Sequence, residues 1–98
     1  MSVLEALHRD LDALDAAIAR DEFDAAAGLL AGYQQRLRGT IETLGARLPV
    51  EALRALLATQ HALTARMRAR RDAVAVQLRQ VHRADAASRA YADVGHAP

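Results

Sequence analysis

Between Pro49 and Arg83 the chain meets no internal glycine or proline, and the stretch is dominated by Ala, Leu and Arg. At ~1.5 Å of rise per residue a helix over 49–83 is about 50 Å long, well beyond the ordinary helix of a globular domain. Such a helix cannot cover its own apolar stripe. It needs partner helices, and the rest of the chain must supply them or leave part of the stripe open.

A chain of 98 residues builds one domain with a modest core. Aromatic residues make up 3% of it, so aliphatic side chains must fill that core. Ala and Leu prevail, β-branched residues are few, and no segment alternates with a period of two. These features point to an all-α protein.

The first 20 residues read as a helix from the start. Ser2 followed by Glu5 is a capping box. Leu4, Leu7, Leu11, Leu14 and Ile18 step by 3, 4, 3 and 4, with Asp10, Asp12 and Asp15 off the stripe. A short acidic link, Asp21-Glu22-Phe23-Asp24, follows. Asp21 is a candidate N-cap there, and Glu22 and Asp24 suit the positive end of a second helix; the rival is one helix running through.

Phe23, Ala26, Leu30, Tyr33 and Leu37 continue the heptad spacing, followed by Ile41, Leu44 and Leu48, giving a second helix over 22–45. Gly28, Gly32 and Gly39 sit inside it, either for close helix approach or as tolerated weak points. Gly45 and Pro49 mark the turn into the third helix, 49–83. There Leu53, Leu56, Leu57, Leu63, Met67, Val74, Leu78 and Val81 lie on or near one face, interrupted by Gln60 and Arg70. After His82 the chain becomes Ala-rich, and Asp85 as a cap predicts a short fourth helix over 86–93. The expected architecture is an antiparallel three-helix bundle, a single domain over 1–98, with an overlong third helix and a short C-terminal fourth.

Charge is unevenly placed. Up to Asp24 the chain has seven acids against Arg9 and Arg20, a net of −5, while the remainder is net +6. Helices of opposite charge lying together would help to set register. Arg66, Arg68, Arg70 and Arg71, with Arg79 and Arg83, form a basic cluster. It reads as a solvated face partly paired with the acidic helix. A nucleic-acid surface is the rival, disfavoured by near-neutral overall charge and by the lack of aromatic platforms.

No catalytic constellation stands out, and no cofactor is implied. The absence of cysteine excludes disulfides, thiolate metal sites and a Cys nucleophile. His8, His61, His82 and His96 are dispersed; the pairs His8–Asp12 and His82–Asp85 have helical spacing but no third ligand. The opening MSVLEALHRD lacks the basic start and apolar run of a secretory signal, and no apolar stretch approaches ~20 residues. A soluble cytoplasmic protein without membrane insertion is expected. The apolar residues from Met67 onward, Val74, Leu78 and Val81, are those that outrun the shorter helices. A partner helix, the fourth helix or a second copy of the chain in a homodimer could cover them.

The tail Ser88-Arg89-Ala90-Tyr91-Ala92-Asp93-Val94-Gly95 resembles the S-x-A-Y-x-D-x-G end of FliT-type flagellar export chaperones. The acidic, aromatic-containing Asp21-Glu22-Phe23-Asp24 resembles the start of that family's second helix. Helix number, helix order and the overlong third helix are also similar, and FlgN-type chaperones come close behind. The resemblance implies a small cytoplasmic bundle that binds the C-terminal helical segment of a filament-cap protein, or another flagellar export substrate, before export. It implies contact with export-apparatus components, with Tyr91 at the position used for docking on the export gate. It also implies a last helix, carrying Ala87, Ala90 and Val94, that closes over the groove as a lid. Some members bind a flagellar transcription regulator as well.

Overall fold

The computed structural model describes residues 2–95, and they are all-α, with no strand among them. Three α-helices, α1 (Val3–Ala19), α2 (Phe23–Leu44) and α3 (Val50–Gly95), are joined by a tight link and a short 3₁₀ turn, Gly45–Arg47. The molecule is a rod of 80 × 18 × 18 Å.

Ser2 caps α1, its Oγ accepting the Glu5 N–H at 3.1 Å. That satisfies one of the four amide donors which a helix start leaves free. The heptad stripe goes inward as its spacing requires: Leu7, Leu11, Leu14 and Ile18 are buried, with Leu4 packed beside them. Helix α2 turns back along α1 and buries Ala26, Tyr33 and Leu37. Farther on, its seam passes through Thr40 and not Ile41, which is 42% exposed. Thr40 tolerates the position because its hydroxyl donates to the Arg36 carbonyl at 2.8 Å, leaving the methyl group to pack.

Gly28, Gly32 and Gly39 do not mediate close approach. A Cβ added at any of them would meet nothing within 4 Å. Gly45, in contrast, is used as a glycine: its φ of +51° ends α2 in a conformation that side chains disfavour. The Pro49 carbonyl accepts the Leu53 N–H at 3.1 Å and opens α3.

Helix α1 lies close along both α2 and α3, and all three contribute to one core, with Leu56, Leu63 and Met67 coming from α3. Arg66 pairs with Asp15 and Arg70 with Asp21, so α3 runs in the same direction as α1. These pairs also mark where packing stops. From Arg71 to Asp93 every residue of α3 is exposed except the half-buried Val74.

The expected boundary near Arg83–Asp85 does not exist, and 86–93 is the last part of α3. No residue between Val50 and Asp93 is glycine or proline, and alanine has the highest helix propensity of all. Asp85 pairs with Arg89 one turn on instead of capping a new helix. Its 46 residues give α3 a length of about 69 Å, of which about the last half projects free.

Candidate functional site: the exposed seam of α3

The site is built from the point where α3 leaves the packed body. Helix α1 ends in a Schellman motif. The Asp21 N–H donates to the Ile18 carbonyl and the Glu22 N–H to the Ala17 carbonyl, both at 3.0 Å. Asp21 sits at the left-handed position with φ +57°, usually filled by glycine but open to aspartate. It is therefore not the N-cap of α2. Glu22 holds that place and makes no side-chain capping bond.

The Asp21 carboxylate instead reaches α3. Arg70 Nε donates to its Oδ1 at 2.9 Å and Arg70 Nη2 to its Oδ2 at 2.6 Å, a two-bond fork. These bonds hold the Asp21 carboxyl below its usual range; they outweigh an opposing effect of burial, to which the guanidinium charge is a lesser counterweight. One turn earlier, Arg66 grips both the carboxylate and, at 3.1 Å, the carbonyl of Asp15. Arg70 breaks the apolar stripe in sequence because it is the clamp that ends the packed region.

Just past the clamp, Phe23 stands at the head of a concavity floored by Val74 and Leu78 and rimmed by Arg68, Arg71 and Asp72. Val74 is half-buried, Leu78 is 55% exposed and Val81 61% exposed. Met67 does not belong to this groove: at 7% exposure it is part of the core. Ala87 and Ala90 are exposed on the same straight helix as the groove and cover none of it, so they form no lid here. The side chain of Val94, and His96 altogether, lie outside the described residues. Tyr91 is 85% exposed and does not pack back on the body.

Two features escaped the reading of the residues. One is the elbow of Asp21 and Phe23, whose partners are distant in sequence. The other is a second concavity between α2 and α3, formed around Leu37, Ile41, Leu57 and Gln60. The Oε1 atom of Gln60 is buried there without a hydrogen-bond partner. The Leu56-Leu57 doublet was its one signal, since neighbouring residues cannot both face the same seam.

Of the arginine cluster, Arg66 and Arg70 are committed to Asp15 and Asp21, whereas Arg68, Arg71, Arg79 and Arg83 form no ion pair among the described residues. Among those residues no three His, Cys, Asp or Glu side chains come together as a metal site. No helix among them is long and apolar enough to cross a membrane. Compared with family models, with curated proteins and with solved structures, the chain finds no match in any of the three.

Proposed function

We propose that the chain is a non-enzymatic, cytoplasmic chaperone of the flagellar export type, an antiparallel three-helix bundle that lays a partner's amphipathic helix along the free seam of α3. The observation that carries this reading is that Val74, Leu78 and Val81 lie on a helix with no cover beyond Phe23 among the described residues. Apolar side chains at helical spacing on an open face suit recognition of a helix by a groove. The family part rests on the tail from Ser88 to Gly95, with the exposed Tyr91 available for docking on the export gate. In this form the groove has no folded-back lid, and the substrate meets it directly. Calorimetric titration of the full chain with the C-terminal helical peptide of a filament-cap protein should give a saturable heat that Leu78→Asp removes. No heat with the unmodified chain would sink the proposal.

The second reading is a structural oligomer in which another copy covers the same seam, and the 80 Å rod favours it to the extent that its projecting part is otherwise bare. Light scattering separates the two: a monomer across micromolar concentrations leaves the partner-helix reading alone.

A further inference from the structure

The two edges of the free seam differ in charge. On one edge Arg68 and Arg71 border the concavity of Phe23, Val74 and Leu78, and neither is paired among the described residues. Arg79 and Arg83, equally unpaired, continue the basic character along the projecting helix. The other edge, Ala73, Gln77, Gln80 and Ala84, carries no charge. We propose that the occupant of the seam is a helix of another protein with an apolar face and carboxylates along one edge, set against Arg68 and Arg71. This rests on the partner-helix reading and adds to it the chemistry of the partner.

The charges also argue against the other occupants. Two copies paired antiparallel through the seam bring like edges together, as e meets e in an antiparallel coiled coil, so one basic edge would face another. A parallel pair is blocked, because the packed body lies on the seam side of α3. The chain's own acidic helix cannot serve, since the apolar face of α1 is the core itself. Asp72 is the one acid that lines the concavity, and the two arginines beside it outweigh it there.

The probes are three designed helical peptides with one Leu/Ala apolar face and a single edge of Glu, Gln or Arg, followed by fluorescence anisotropy against the full chain at low salt. The Glu-edged peptide should bind about tenfold more tightly than the Gln-edged one, the size of two partly screened ion pairs. Arg68→Glu with Arg71→Glu should remove that preference and favour the Arg-edged peptide. Arg47→Glu with Arg54→Glu makes the same change in net charge at the far end of the rod and should leave the preference intact. Equal binding of the Glu- and Gln-edged peptides, both lost in Leu78→Asp, would overturn the edge selection while the groove stands. Loss of the preference in the far-end variant would reduce it to overall charge and overturn it too. Failure of all three peptides to bind would remove the groove reading itself. A dimer of the unmodified chain that Leu78→Asp dissociates would make a second copy the occupant.

Discussion

Asp21 does two things that are usually done by different residues. Its backbone supplies the left-handed turn that ends α1, and its carboxylate fastens that turn to Arg70 of α3. Glycine would serve the turn better and the clamp not at all, which accounts for an acid at this position. Because the fork holds the Asp21 carboxyl below its usual value, the folded state binds a proton there less readily than the unfolded chain. The clamp's contribution to stability is therefore complete above the unfolded carboxyl value of about 4 and is lost as pH falls through the lower folded one. Asp21→Asn keeps a residue that accepts positive φ and removes only the charge. Thermal melts should show it less stable than the unmodified chain by a constant margin from neutral pH to about pH 5, with the margin closing below about pH 4. A margin unchanged down to pH 2 would mean that the fork adds nothing to folding.

At the scale of elements, what could be read in advance was what repeats locally. The stripe from Leu4 to Ile18 and the stop at Gly45 to Pro49 are local patterns, and both organise the fold as they should. The elbow was legible as a break but not as a mechanism, because no glycine marks the positive φ and the partner of Asp21 lies far along the chain. The third helix runs past the expected end because a change from Leu-rich to Ala-rich texture is not a boundary. Texture decides burial, whereas a helix ends only where propensity or capping ends it, and from Arg83 to Asp93 nothing does. The glycines of α2 show the same distinction. Gly28, Gly32 and Gly39 weaken the helix without any contact in return. Replacing all three by alanine should stabilise the chain by about 2 kcal/mol, raising the melting temperature by roughly ten degrees. A fall in stability would show that these positions face a neighbour.

For the molecule as a whole, folding and recognition are carried by different lengths of one helix. Up to Arg70, α3 contributes Leu56, Leu63 and Met67 to the common core and is held by Asp15 and Asp21. Past that point its apolar residues meet solvent, so they cannot add to the stability of the isolated chain, and they keep their burial energy for whatever covers them. The contrast is measurable. Leu56, fully buried, should cost about 2–5 kcal/mol on replacement by alanine. Leu78→Ala should change stability by no more than about 0.5 kcal/mol, as a surface substitution between two good helix formers does. Hydrogen exchange should divide α3 at the same place, with amides before Arg70 opening only with the whole fold and those beyond Val74 exchanging through local fraying. A helix that has little beyond its own propensity to hold its last half is marginal in water, and a partner lying along the seam would protect just those amides. Protection gained from Ala75 to Val81 on adding the acid-edged peptide, with none gained between Leu53 and Met67, would place the occupant on the free seam and not in the concavity between α2 and α3.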